Sequence, residues 1–339
     1  MIWSEGAGKK ASPFVQDTIG IQPVGVRDNL PWWERPWISF SLHKALFDEG
    51  APVYWIADPT RYRSAVQSGD LDGSRSQTTA LCPRAKRDME AVAPRLIGPI
   101  NPDRPDTVIR NAVTDCLGQR VGLFLVGDVG HDRLAQHLLR FVFLPASNPQ
   151  KPLFFRFWDP LVALAFLRIN EQRPERVGRF LGVPDGPALT LLAEAGSSEM
   201  KIIRPVDDIP RLIDQPELDA KELAAFDNLD MDRFVRTTAA WLIETFGGAS
   251  VPTIQVEAAI RSQIAPLRGI GIRSEYAMNF ALAGLYLLGL HSANLPADGH
   301  AILTNYSETE DARARQFLTW AQAHPHRRHL HPKGQPGHA

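Results

Sequence analysis

Cysteine, net charge and long apolar runs are all scarce in this sequence, and each scarcity excludes a class of protein. Only two cysteines occur, Cys82 and Cys116, so the chain is not a disulfide-rich scaffold and fits a reducing compartment. The formal net charge is −1, so no overall electrostatic field draws the chain to nucleic acid. The longest apolar run, residues 280–290, falls well short of the roughly 20 residues that span a membrane. Because no apolar signal core follows the charged N-terminus, we expect a cytoplasmic protein without membrane insertion.

Short enzyme motifs are also missing from the sequence. It has no phosphate-binding G-x-x-x-x-G-K-[ST] loop, no dinucleotide-binding G-x-G-x-x-G, no G-x-S-x-G nucleophile elbow and neither H-E-x-x-H nor C-x-x-C. Metal sites need fixed geometry, which a histidine-rich tail without apolar residues does not offer. The tail histidines are His324, His326, His329, His331 and His338. We therefore expect no catalytic residue, no cofactor and no metal.

The apolar patterns predict an α+β fold, with an N-terminal α/β lobe followed by an all-α C-terminal lobe. The N-terminal lobe should hold a small mixed sheet flanked by helices, because strand patterns concentrate before residue 185 and nearly disappear after it. The predicted organisation is an N-terminal arm (1–37), an α/β domain (38–185), a helical lobe (186–323) and a disordered His-rich tail (324–339). The helices predicted for the helical lobe are 218–228, 231–246, 254–267, 273–289 and 307–323.

Two predicted strands each run into an Asp-Pro pair. Asp58 and Pro59 follow the strand at 53–57, and Asp159 and Pro160 follow the strand at 153–158. Because open α/β sheets place their sites at the carboxyl ends of strands, one hypothesis is a hydrolase or transferase that uses Asp58 or Asp159. Asp is also a favoured helix N-cap, and Pro a favoured first helical residue. Capping explains both aspartates without a substrate, and we favour it.

Arg156 stands among aromatic residues in the second of these strands. We predict a long-looped antiparallel hairpin of 139–144 with 153–158, which places Arg156 between Phe154 and Trp158 on one face. An arginine there can stack on the rings and still pair with a carboxylate. We favour a structural ion pair over a binding contact, since buried arginines are normally paired internally.

Tryptophans provide candidate contacts for a partner. Trp32, Trp33 and Trp37 lie close together at the end of the predicted arm, and Trp241 lies in the helical lobe. Tryptophan is enriched at the energetic centres of protein–protein interfaces. Packing within the protein itself is the alternative role.

Four segments, in their order and spacing, resemble a known family. They are "PVYWIAD", "DMEAVAPRLIGP", "GLFLVGDVGHDRLAQHLLRFVFLP" and "FFRFWDPLVALAFL", and the resemblance covers about residues 51–182. The family is the adaptor, or chaperone, of bacterial type VI secretion effectors, first catalogued as domain of unknown function 4123. Ala57 departs from its pattern, being small where a larger apolar residue is usual. The matching positions are Tyr54, Asp58, Pro94, Phe155, Arg156, Phe157, Trp158, Asp159 and Pro160.

The resemblance implies a protein that binds a cognate toxic effector and helps load it onto the VgrG spike of the secretion machine. It implies no catalytic residues, so the matching positions would be framework that holds the domain together. Its partners would be the effector toxin and VgrG. A third hypothesis, a DNA- or RNA-binding module, is disfavoured by the near-zero net charge.

Overall fold

The chain has two compact units, Met1–Leu229 and Asp230–Ala339, in a computed structural model. The first unit contains a β-sheet with helices, and the second is helical, so the predicted α+β class is confirmed. The structure describes residues 12–21, 37–61, 77–83, 89–103, 107–145, 152–206, 209–247 and 251–324.

A seven-stranded sheet forms the centre of the first unit. Its strand order is β1-β9-β8-β5-β2-β4-β3, and every neighbouring pair is antiparallel. The sheet is therefore larger than the small mixed sheet that we predicted. A separate antiparallel pair, β6 with β7, completes the strands. The strands are β1 (Phe14–Gly20), β2 (Val53–Ala57), β3 (Gln77–Ala80), β4 (Arg95–Gly98), β5 (Gly122–Val126), β6 (Phe143–Leu144), β7 (Leu153–Phe154), β8 (Thr190–Glu194) and β9 (Glu199–Pro205).

Helices cover both faces of this sheet. Every residue of β2 and β5 is buried, as in central strands packed on two sides. Tyr54 and Ile56 point into one apolar core, while Val53 and Trp55 point into the other. The helices are α1 (Phe40–Phe47), α2 (Thr107–Cys116), α3 (His131–Val142), α4 (Pro160–Ile169) and α5 (Pro174–Leu181). The first core includes residues of α3, α4 and α5, and the second includes residues of α1 and α2.

The sequence pattern did not predict β3 or β4 as strands, and it also missed β1, β8 and β9. β1 lies within the segment predicted as an N-terminal arm, and β8 and β9 lie beyond residue 185, where strand patterns nearly disappear. β1 is an edge strand whose middle residues are all exposed, so its sequence does not alternate between apolar and polar residues as a half-buried strand does. β9 mixes charged and apolar residues because it is next to the edge and only partly buried.

The predicted hairpin of 139–144 with 153–158 is mostly wrong. α3 continues to Val142, so only Phe143 and Leu144 pair with Leu153 and Phe154. The sequence "LRFVFL" is rich in aromatic and β-branched residues, which favour strands. The helix forms because Leu134, Leu138, Phe141 and Val142 recur at helical spacing and are all buried.

The second unit is built from helices around its own apolar core. α6 begins in the first unit and merges the two helices predicted at 218–228 and 231–246. Phe317 packs against Gly284, where an added Cβ would lie 2.5 Å from the ring. Among the described residues, no helix is both long and apolar enough to cross a bilayer. The helices are α6 (Ala220–Phe246), α7 (Thr253–Gly269), α8 (Glu275–Leu288), α9 (Ala297–Leu303) and α10 (Glu310–Ala323).

Candidate functional site

The two Asp-Pro joints meet in space and form an Asp–Arg cluster, consisting of Asp58, Arg61, Arg156 and Asp159. Asp58 follows β2, and Asp159 precedes α4. Arg156 donates to Asp58 Oδ2 at 2.6 Å, and Arg61 donates to Asp159 Oδ2 at 2.7 Å. Arg61 Nε also lies 4.0 Å from Asp58 Oδ2. The cluster thus links residues about a hundred positions apart through two crossed ion pairs.

Asp58 is buried and each of its carboxylate oxygens accepts hydrogen bonds. Thr60 donates to Oδ1 from its backbone N–H at 2.9 Å and from its hydroxyl at 2.6 Å. Trp158 Nε1 donates to Oδ2 at 3.3 Å, beside the bond from Arg156. Burial raises the pKa of Asp58, but the Thr60 hydrogen bonds and the Arg156 charge outweigh it, so the pKa lies below its ordinary value. Asp58 is therefore held as a carboxylate.

Asp58 begins a turn in this structure, whereas we predicted that it begins a helix. Residues 59–61 form a turn, in which Arg61 donates its N–H to Asp58 O. The side-chain bond to the Thr60 N–H is the Asx-turn arrangement that Asp readily makes. The continuation predicted as a helix, from residue 62, lies outside the described residues.

Asp159 is the N-cap of α4, as the sequence predicts. Its Oδ1 accepts the Leu161 N–H at 3.0 Å, and Pro160 occupies the first turn of the helix. Its other oxygen accepts the bond from Arg61. Capping and ion pairing together use both oxygens of this buried side chain.

The two arginines form the solvent-facing part of the cluster. Arg61 and Arg156 are 25% and 37% exposed, whereas each aspartate side chain is 3% exposed. Arg61 also donates to the Arg120 carbonyl at 2.7 Å, which anchors it to the start of β5. Two guanidiniums balance two carboxylates, so the cluster is locally neutral. A ligand arriving from solvent would meet arginine before aspartate.

Glu194 lies near the same end of the central strands and was not found by sequence reasoning. It lies at the end of β8 and accepts the Arg120 N–H at 2.6 Å. Arg120 has a positive φ of 56°, so this bond helps to hold a turn that non-glycine residues seldom adopt. Burial raises the pKa of Glu194 in spite of the hydrogen bonds from Arg120 and Gly118. No motif predicts this contact, because the partner is 74 positions away.

The remaining family-like positions pack or bond within the first unit. Tyr54 donates its hydroxyl to the Val129 carbonyl, and the Pro94 carbonyl accepts the Leu81 N–H at 2.8 Å. Phe155, Phe157 and Trp158 are buried. The three rings touch one another or the aromatic rings of α3, α4 and α5. These residues form framework in this structure.

The candidate partner-binding tryptophans fall into three groups. Trp37 is buried with α1, and its carbonyl accepts the Thr114 hydroxyl, so it has the packing role. Trp241 is half-buried and packs edge-on against Phe246. Trp32 and Trp33 lie outside the described residues.

The part of the chain that the structure describes contains no metal-binding cluster, and its buried cysteine is not reactive. Within it, no group of three or more His, Cys, Asp or Glu residues could hold a metal ion. Neither Cys82 nor Cys116 forms a disulfide in the described part of the chain, and burial raises the pKa of Cys116 to about 12. Such a thiol does not supply a thiolate near neutral pH. Apart from His324, the tail histidines lie beyond the described residues.

A comparison with known families finds a model that matches the part of the chain containing the cluster. No curated protein and no solved structure matches the chain. The family description assigns no activity, so it adds no catalytic residue to the site. Residues 53–175, which contain all four members of the Asp–Arg cluster, match the family model of a domain of unknown function (DUF4123).

Proposed function

We propose that this protein is a cytoplasmic type VI secretion adaptor, which binds a cognate effector toxin and helps load it onto the VgrG spike. The observation that carries the proposal is the family match over residues 53–175. The four sequence segments that resemble effector adaptors lie almost wholly within this range. Binding a polypeptide requires no catalytic group, in keeping with the absence of enzyme motifs from the sequence.

The internal bonding of the Asp–Arg cluster supports a binding role over a chemical one. A general base or nucleophile must reach its substrate with a lone pair. Each oxygen of Asp58 and Asp159 instead accepts at least one hydrogen bond from the protein. We infer that the cluster fixes the joint between β2 and α4, and that other surfaces contact the partner.

Co-expression with the protein encoded beside it tests the proposal. We expect that neighbouring protein to co-purify with the adaptor, and to lose stability or secretion in a strain that lacks the adaptor. A complex of this kind should bury at least ~1,000 Å². Stable, normally secreted neighbouring protein without the adaptor, together with failure to co-purify, contradicts the proposal.

A matched pair of variants tests whether co-purification depends on the folded β-sheet of the first unit. Gly122→Ala places a Cβ 1.9 Å from the Ile56 carbonyl oxygen and should disrupt the pairing of β2 with β5. Gly130→Ala meets no atom within 4 Å and should preserve the fold. Co-purification should be lost with the first variant and kept with the second.

A further inference from the structure

The outer edge of β1 presents backbone groups that point away from the sheet. Ile21 donates its N–H to Ser198 O at 3.0 Å, and Val206 donates its N–H to Pro13 O at 2.9 Å. Both bonds fit the single β1–β9 register, so the odd-numbered residues of β1 bond to β9. Alternate residues of an antiparallel strand point their backbone groups in opposite directions. Those of the even-numbered residues therefore point outward.

Two serines close the ends of this edge and leave its middle open. Ser12 Oγ donates to the Phe14 carbonyl at 2.9 Å, and Ser41 Oγ donates to the Gly20 carbonyl at 3.0 Å. Between them, the N–H and C=O groups of Gln16 and Thr18 have no bonding partner among the described residues. Such an edge is a template for another extended chain.

A pocket adjoins the open edge on one face of the sheet. It has a volume of about 480 Å³ and lies between β1, β9 and α4. Phe14 and Gln16 point to this face, since Phe14 belongs to the same apolar core as α4. The apolar part of the lining is Phe14, Leu164, Leu167 and Ile203, and the charged part is Arg168, Glu171 and Lys201.

We propose that the outer edge of β1 binds an extended segment of a partner polypeptide by strand addition. The four open backbone groups of Gln16 and Thr18 would pair with the backbone of that segment. Directly opposed residues share a face of the sheet, so the partner residue opposite Gln16 points toward the pocket. The apolar lining favours an aliphatic or aromatic side chain at that position. If the proposed function holds, the segment belongs to the effector, and the site then deepens that function.

Asp17 argues against a second copy of this chain as the partner. In a symmetric antiparallel pairing that uses all four groups, Gln16 faces Thr18 of the other copy and Asp17 faces Asp17. Like charges directly opposite each other are destabilising. Asp17 lies on the face away from the pocket, where it pairs with Arg204 at 2.5 Å. The partner should therefore carry a neutral or basic residue opposite Asp17.

Gln16→Pro tests the proposal with Gln16→Ala as its matched control. Proline removes an outward N–H and adds bulk at the outer edge, without removing a donor to β9. Alanine keeps the N–H. The probe is a displayed library of random short peptides selected on the full-length wild-type protein. We expect selected peptides to bind the alanine variant like wild type and the proline variant about tenfold or more weakly, with unchanged thermal unfolding of both.

Amide hydrogen exchange of the protein, measured with and without the selected peptides, locates the contact. The N–H groups of Gln16 and Thr18 should gain protection when peptide binds, while that of Asp17, which faces β9, should be protected in both states. The proposal is overturned if the selected peptides bind both Gln16 variants equally. It is also overturned if no peptide is selected, or if bound peptide protects amides elsewhere in the protein instead. A wild-type dimer that Gln16→Pro converts to monomer overturns it too, because the occupant is then a second copy.

The effector experiment keeps this proposal separate from the proposed function. If the neighbouring protein co-purifies equally with wild type and Gln16→Pro, the adaptor function stands and the strand-addition site falls. If it co-purifies with neither, while selected peptides still discriminate between the variants, the site stands and the adaptor function falls.

Discussion

At the scale of single residues, the Asp–Arg cluster shows how buried charge is tolerated in this protein. Removing a carboxylate from water costs several kcal/mol, and that cost is offset only by close partners with good geometry. Asp58 has Arg156, Thr60 and Trp158 as partners, and Asp159 has Arg61 and the first turn of α4. The crossed arrangement couples the four charges, so each substitution should affect the others.

Arg156→Met should destabilise the first unit by about 2 kcal/mol, because it leaves Asp58 with weaker compensation. The estimate is below that for a fully buried pair because Arg156 is 37% exposed. Chemical denaturation of the wild type and the variant measures the loss. In an Asp58→Asn background the same substitution should cost distinctly less, and equal costs in both backgrounds would mean that the two side chains are not coupled.

Asp159→Asn separates the capping role from a catalytic one. Asn caps a helix almost as well as Asp, so the variant should keep its fold and its partner. Asp159→Ala should cost about 1 kcal/mol more in unfolding free energy, because it leaves the Leu161 N–H without its acceptor. Denaturation and co-purification check both variants. Turnover of a substrate by the wild type, lost in a well-folded Asp159→Asn, would establish the hydrolase or transferase hypothesis instead.

We expect His137 to make the stability of the first unit depend on pH. It is buried in α3, and its Nε2 bonds to the Phe180 carbonyl at 2.9 Å. Burial lowers its pKa to about 4, with a further lowering by Arg140, from an ordinary value of 6.5. The unfolded chain therefore binds the proton more readily, and stability should fall by up to about 3 kcal/mol as pH drops from 6.5 to 4.

His137→Gln provides the comparison, because it does not titrate in this range. The unfolding free energy of the variant should vary less between pH 6.5 and 4 than that of the wild type, as followed by denaturation at several pH values. The low pKa of Asp58 acts in a separate window, since its contribution is lost only as pH falls below the ordinary aspartate value of 3.8. Parallel curves for the two proteins would contradict the role given to His137.

At the scale of elements, α5 depends on a close approach between its backbone and a neighbouring segment. A Cβ on Gly178 would lie 1.9 Å from the Pro210 carbonyl oxygen. Alanine normally favours a helix over glycine by about 1 kcal/mol, but here we expect Gly178→Ala to destabilise by about 3 kcal/mol. Thermal or chemical unfolding checks the sign. Gly130→Ala, in open space before α3, should stay within about 1 kcal/mol of wild type.

The predicted elements succeeded where the local apolar pattern matches the buried surface, and they failed where distant contacts decide the structure. α4 follows from its Asp-Pro start and apolar spacing, and β2 follows from a continuous apolar run. β1 escaped prediction because its partner, β9, is nearly two hundred positions away and its own side chains are exposed. The end of α3 was misread because strand-favouring residues sit on a buried helical face.

The candidate site was predictable in part, for a similar reason. Asp58, Arg156 and Asp159 stand out in the sequence because charge interrupts apolar runs there. The cap on α4 could be predicted because it is local. The crossed pairing through Arg61 could not, since it joins residues 98 positions apart. Glu194 lacked any local signal, because its partner is the backbone N–H of Arg120, in a turn 74 positions away.

At the scale of the whole molecule, charge balance predicts no general affinity for nucleic acid. The chain has 37 basic and 38 acidic residues, and several arginines are already paired internally. Nonspecific binding to DNA depends on neutralising phosphates, and each contact makes affinity fall with added salt. We therefore expect no shifted complex with duplex DNA or single-stranded RNA at low salt in an electrophoretic assay. A shift that weakens steeply between about 50 and 200 mM salt would reveal a local basic surface and revive the nucleic-acid hypothesis.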